Sequence, residues 1–261
     1  MRIPQQLCVL CLVLSFPAVS QQTATKDPTA MAIVQQSLAA MGSGQTFVDV
    51  QGAGTTTAYG GAGQVIYPIT LQATGTASIR SAISKPSGTK TYVTDGTNLC
   101  VDNALVDLTS DAQADLSWRR IDFVPALSIL SAYADPNIQV LYEGTDSVNG
   151  ATVDVISIGL TSPEASDAGQ IPQRLFLIDR ATSLVAKIRI TNTAGSPTWQ
   201  GPTVEVFLSQ YQSVTGFAVP MDQATYVDGT LSQDLQLTSV TFNNGLDSSL
   251  FTMTCEVPNA Q

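Results

Sequence analysis

The side chains able to do chemistry in this sequence are few, and the missing ones decide most. The chain has no histidine, which removes serine–histidine and cysteine–histidine catalysis, the HExxH metalloprotease motif and most zinc sites together. Acid–base work would fall to carboxylates. Glu143, Glu164, Glu205 and Glu256 stand singly, with no paired spacing or local motif, so the one catalytic arrangement left open is two carboxylates meeting in space at glycosidase separation. Asp107, Asp111 and Asp115 recur every fourth residue. A calcium loop would need the DxDxDG ligand order, which is absent, and acidic residues so placed belong near a helix N-terminus. The run Tyr59-Gly60-Gly61-Ala62-Gly63 has no GK[ST] step and no helical stretch behind it, so it reads as a flexible tip and not as a phosphate cradle. This inventory points away from an enzyme and calls for no cofactor and no metal.

Cysteine is the remaining reactive type. Cys8 and Cys11 fall inside an N-terminal stretch with Arg2 as its only charge, an apolar core from Leu7 to Phe16, and the small residues Ala18 and Ser20. That is the layout of an export signal with cleavage after Ser20, and its apolar run is too short for a membrane span. Leu10 precedes Cys11 where a lipoprotein signal has a small residue, which argues against a lipid anchor. Export places Cys100 and Cys255 in an oxidising compartment, where an even pair suggests a disulfide tying the C-terminal tail to a strand of the first half. Two unpaired buried thiols are the alternative. The expected location is the periplasm, or the outside of a host without an outer membrane.

Charge narrows the partners. Only 12% of the 261 residues are charged, with 11 basic against 21 acidic and a net charge of −10. A phosphate backbone or an anionic membrane surface needs a basic patch that this balance does not supply, so nucleic acid is excluded. No later window offers about 20 consecutive apolar residues, so no transmembrane segment is expected. The length suits one all-β core. The organisation read from it is a signal over 1–20, a loose tail over 21–26 and a single domain over 27–261.

The elements that must position these residues are mostly strands. From Gln173 to Phe242, extended segments follow one another with only turns between them: Arg174 to Asp179, Ser183 to Thr191, Thr203 to Val214, Phe217 to Asp228, and Leu231 to Phe242. No helical period interrupts them, which predicts an antiparallel meander. In the second of these, Leu184, Ala186, Ile188 and Ile190 alternate with Lys187 and Arg189, giving a core face and a wet face. Upstream, strands are expected from Phe47 to Ile83, a turn at Lys85-Pro86-Ser87-Gly88, a hairpin about Asp95-Gly96, and another about Asn149-Gly150. The total is about ten or eleven strands. Two helical stretches must cover them. Asp27-Pro28 supplies an N-cap and a first-turn proline, Met31, Val34, Leu38 and Met41 share one face, and Gly42 stops the helix. Between Asp107 and Tyr133, Trp118, Arg119 and Arg120 precede Phe123, Leu127, Leu130 and Ala134 at helical spacing, with Pro125 expected to kink the helix.

This order of pieces resembles the outer-membrane lipoprotein carrier family, the LolA/LolB-like fold. The resemblance covers most of the chain and rests on three passages: RLFLIDRATSLVAKIRI (Arg174 to Ile190), a strand, an Asp-x-x-Thr turn and a strand; VEVFLSQYQSVTGFAVPMDQATY (Val204 to Tyr226); and the closing LTSVTFNNGLDSSLF (Leu237 to Phe251). It implies a mainly β, α+β protein: a curved antiparallel sheet or incomplete barrel whose concave face is closed by the N-terminal helix and a central kinked helix. It also implies a non-catalytic binder of an acyl chain, lipoprotein or other apolar ligand in the cell envelope, or else a protein-interaction or sensor domain of the kind that regulates sigma factors. The cavity and lid would be lined by Met31, Val34, Leu38, Phe123, Leu127 and Leu130, with Trp118 at the mouth. Arg119 and Arg120 are the best-placed candidates for gripping a ligand. The same side chains packed solidly against the sheet would leave no void.

Overall fold

The computed structural model describes residues 24–42, 44, 47–61, 63–75, 78–94, 99–102, 104–105, 123–128, 130, 133–136, 138–160, 173–191, 202–252 and 255. The order of elements is α1 (Pro28–Ala40), β1 (Asp49–Gly60), β2 (Gly63–Thr74), β3 (Ser78–Lys85), β4 (Gly88–Thr94), β5 (Leu99–Val101), β6 (Ala104–Leu105), β7 (Ile138–Val148), β8 (Ala151–Leu160), β9 (Gln173–Asp179), β10 (Val185–Thr191), β11 (Val204–Val214), β12 (Phe217–Val227) and β13 (Thr230–Phe242). Among the described residues, thirteen strands form one antiparallel sheet in the order β6-β5-β4-β3-β2-β1-β13-β12-β11-β10-β9-β8-β7. The sheet is therefore open, with β6 and β7 as its edges. β5 is the second arm of the hairpin expected about Asp95-Gly96, whereas β6, two residues long, is too short to show alternation.

Local chemistry explains the turns. Asn149 and Gly150 both have positive φ, 51° and 85°, the backbone a two-residue primed turn requires, and they join β7 to β8 with Val148 facing Ala151. Pro86 and Ser87 close β3 on β4, with Lys85 facing Gly88. The Asp179 carboxylate accepts from the Ala181 and Thr182 amides at 2.9 and 2.8 Å and from the Thr182 hydroxyl at 2.9 Å, so one side chain folds the β9–β10 turn. At the far end Asp49, almost fully buried, accepts from the amides of Asn244, Gly245 and Leu246 at 2.8, 2.8 and 3.0 Å. It thereby pins the chain that leaves β13. The Asp95-Gly96 turn lies outside the described residues, although β4 and β5 do pair antiparallel.

Helix α1 forms where its signals stand. The Asp27 carboxylate accepts from the Ala30 amide at 2.9 Å and Pro28 opens the first turn. Its ends are fastened to two separate strands. Before the helix, Asp27 donates to the Val140 carbonyl of β7 and Val140 donates to that of Thr25; after it, the Ala218 amide of β12 donates to the Met41 carbonyl at 3.3 Å. Thirteen residues rise about 20 Å, close to the roughly 24 Å across five strand spacings. The helix thus crosses one face of the sheet from its β7 edge to β12. Gly42 makes the exit possible: its φ is +97°, and a Cβ there would collide with the Gly216 carbonyl.

Among its described residues, the second covering element is not the expected kinked helix. In its described part, Val124 is at φ −130°, ψ 90°, Pro125–Leu127 form a single 3-10 turn, and Ser128 is extended at ψ −174°. Pro125 denies the chain an amide and drives Val124 out of the helical basin. Ser128 then replaces helical hydrogen bonds with its own side chain, its hydroxyl donating to the Pro125 carbonyl at 2.7 Å and accepting from the Leu130 amide at 3.2 Å. Phe123, Leu127 and Leu130 are all buried, but as an irregular strap. Residues 106–122, which include Trp118, Arg119, Arg120 and the three aspartates, lie outside the described residues.

Candidate functional site

The face crossed by α1 is apolar along its width and packs in two clusters. Under α1, Val34, Leu38 and Met41 meet Leu130 and the inward residues of β7–β11, among them Ile156, Phe176 and Ile188. On the other half, Phe123, Val124 and Leu127 meet inward residues of β1–β3, β12 and β13. The strap from 123 to 130 straddles both, since Ala126 and Leu130 belong to the first cluster. It is tied down by a buried polar contact, Gln223 Nε2 of β12 donating to the Phe123 carbonyl at 3.0 Å. At its far end Lys26 Nζ donates to the carbonyls of Tyr133 and Asp135.

Where α1 lies, the hollow is filled. Val34, Leu38 and Leu130 are buried and Met31 is half-buried against the same cluster. Beyond the helix a cleft remains over β2–β5, bounded by Ile69, Leu71, Ile79, Leu99, Leu235 and the ring of Phe123, with a free volume of about 50 Å³. That admits about three or four water-sized groups, well short of the hundreds of Å³ that a bound acyl chain occupies. Of the residues read from sequence as cavity or lid, Phe123 borders this cleft, Leu127 packs beside it, and Met31, Val34, Leu38 and Leu130 fill the neighbouring cluster. At the same end of the sheet Cys100, on β5, and Cys255 stand at disulfide distance, with Cα atoms 5.8 Å apart.

The opposite face is not the plain wet face that alternation suggested. A bulge at Ala186, between Val185 and Lys187, shifts the parity of β10. Ala186 joins Phe207, Leu175 and the buried Val148, Val153, Val155 and Leu177 in a third, outer cluster. Lys187 is only 7% exposed. Its ammonium sits 4.7 Å from the Phe207 ring centroid and 2.9 Å from Glu205 Oε1, which Arg189 Nε also reaches at 2.9 Å. Burial alone would raise the Glu205 carboxyl, but the hydrogen bonds and charges of Lys187 and Arg189 outweigh it and hold it below the usual glutamate value. Sequence spacing hid this ion cluster because its members sit 16 and 18 positions apart and meet only through strand register. Among the described residues no group of three or more metal-ligating side chains occurs, and no helix is long and apolar enough to cross a membrane.

The same open sheet is found in solved structures. A LolA superfamily protein from Nitrosomonas europaea superposes with a TM-score of 0.57 at 13% identity, over 85% of this chain and 97% of that one. The fold is LolA-like. A putative outer membrane lipoprotein-sorting protein domain from Vibrio parahaemolyticus agrees at TM-score 0.54 and 13% identity, over 85% and 95% of the two chains. A DUF1329 family protein from Desulfovibrio piger gives 0.52 at 9% identity, over 87% and 98%. No protein-family profile matches the sequence, and no curated protein matches it. The likeness extends to the fold alone, and the ligand and chemistry must be argued from this chain's own side chains.

Proposed function

We propose that this protein is exported to the cell envelope, its signal removed after Ser20, and that it acts without catalysis as a binder or carrier of an acyl chain or other apolar ligand. The observation that carries the reading is the strap. Half of an apolar sheet face is covered by an irregular segment, held to the sheet through Gln223 and the packing of Phe123 and Leu127, with a cleft already open beside it. A ligand enters by displacing Phe123 and Leu127, taking the apolar surface that they now cover. Each methylene buried contributes about 0.8 kcal/mol, so recognition needs no polar contact deep in the site. A bridge between Cys100 and Cys255 holds the rim of the cleft while the strap moves. Native mass spectrometry of protein purified without detergent tests this: a retained adduct of lipid mass supports it, and a clean apo mass together with failure to take up added fatty acid overturns it.

One observation favours a partner protein as a second reading. The β1–β2 hairpin carries Val65 and Ile66, 45% and 57% exposed, in a stretch with no charged residue between Asp49 and Arg80. The two side chains alternate to opposite faces of the hairpin, so both sides of this uncharged tip present apolar surface to a partner. Cross-linking from position 64 in the native host distinguishes the readings: capture of one defined envelope protein supports a sensor or docking role, and capture of lipid alone removes it.

A further inference from the structure

The outer face carries a second, chemically different site. Between the β7–β8 hairpin tip at Val148 and Asn149 and the β12–β13 turn at Gly229 runs a groove of about 580 Å³, the size of pocket that holds a small organic molecule. Its lining includes the edge-to-face pair of Phe207 and Tyr226, with centroids 5.3 Å apart, and the small residues Ala186 and Ala224 beside them.

The charges in the groove are unevenly distributed. At one end Glu205 is neutralised by Lys187 and Arg189. At the other end stands Asp222, and Asp234, just outside the groove's own lining, lies diagonally beside it on the same face, since Asp222 faces Gln236 and Ala224 faces Asp234. One oxygen of each carboxyl is engaged by a neutral donor: the Ser209 hydroxyl donates to Asp222 Oδ2 at 2.8 Å, and Gln236 Nε2 donates to Asp234 Oδ2 at 3.0 Å. No lysine or arginine pairs with either among the described residues. Burial, then the charge of Asp222, then a hydrogen bond between the two carboxyls raise Asp234 above the ordinary aspartate value. Two carboxyls this close repel one another when ionised, and a cation placed between them removes that cost.

We infer that the outer groove binds a small primary amine, its ammonium between Asp222 and Asp234 and its apolar body over Phe207 and Tyr226. An ammonium offers three donors to the two carboxyl oxygens left over, and the aromatic rings give its apolar body a surface to cover. The site is separate from the acyl-chain reading, because the sheet itself lies between the two.

The test uses 2-phenylethylamine, with 2-phenylethanol as neutral analogue and phenylacetate as anion, followed by backbone amide shifts at neutral pH and low salt. The amine is expected to bind saturably, moving the amides of Ala186, Phe207, Ala224 and Tyr226. The alcohol should bind at least tenfold more weakly, and the anion should not bind. Asp222→Asn and Asp234→Asn, nearly isosteric changes on half-exposed positions, should each weaken the amine at least tenfold with unchanged thermal melts. Equal binding of amine and alcohol, undiminished binding by the double asparagine variant, or no saturable shift at these amides would each overturn the proposal. Phe207→Leu gives an independent check: it should weaken the amine while leaving both carboxyls in place.

Discussion

A bridge between Cys100 and Cys255 would close a loop of 155 residues, and the cost of replacing both by alanine can be worked from that separation. In the chain-entropy account, a cross-link closing about 155 residues removes about 5 kcal/mol of denatured-state freedom at room temperature. That compares with a total stability of about 5–15 kcal/mol for a domain, so the variant should stand near the limit of folding. At about 2–4 °C per kcal/mol for a chain of this size, its melting temperature should fall by about 10–20 °C, and a reductant should bring the unmutated protein to the same value. The loss should be local in its first effects. Cys100 lies on β5, beside the two-residue edge strand β6, so hydrogen exchange should rise at β4–β6 before it rises in β8–β12. Differential scanning calorimetry with and without reductant, paired with thiol alkylation of the unreduced protein, reads both. A shift below about 2 °C, small beside the several degrees that 1–2 kcal/mol would give, would refute the argument, as would quantitative alkylation without reductant.

Other positions give sharper local tests. Gly42→Ala forces a side chain into positive φ and against the Gly216 carbonyl, which should cost about 2 kcal/mol or more in urea denaturation, while Gly44→Ala, with open space around it, should be nearly silent. Asp49→Ala removes the acceptor of three amides of the chain after β13, two of them on exposed residues, a loss of about 1–3 kcal/mol that Asp49→Asn should only partly restore. Glu205→Gln strands the buried Lys187. The cost should be about 2 kcal/mol, less than the 3–5 of a fully buried pair, because Glu205 keeps 21% of its side chain exposed. The sign with pH follows from the depressed carboxyl. Glu205 stabilises the fold above its unfolded value near 4.5 and loses that contribution as pH falls through its lower folded value. Unfolding curves of unmutated protein and variant should therefore converge on acidification, and a constant gap down to pH 2 would count against the ion cluster.

The meander was legible because its strands alternate and its turns carry their own chemistry: Asp179 with Thr182, and Asn149 with Gly150, declare themselves in four or two residues. Helix α1 was legible for the same reason, from Asp27-Pro28 to Gly42. The strap was misread because Phe123, Leu127 and Leu130 keep helical spacing, yet spacing records only that side chains point inward. An irregular chain lying in a hollow satisfies it as well as a helix does, and Pro125 with Ser128 makes the irregular solution the better one. The outer cluster was invisible for a different reason. One extra residue at Ala186 reverses the parity of β10, and the folding of Val148 over that face is a tertiary event that no local pattern encodes. Glu205 carried no motif, and only the register of β10 against β11 gives it two cations.

The central claim is that the strap over the inner face yields to an apolar chain, and the most direct measurement is displacement of a fluorescent fatty acid by saturated fatty acids of increasing length. The account predicts one saturable site per protein, with affinity rising up to about fourfold for each added methylene, the equivalent of about 0.8 kcal/mol, and with exchange at the Leu127 and Ser128 amides quickened in the complex. Absence of saturable binding across the series, or binding indifferent to chain length with the strap amides unchanged, would contradict it.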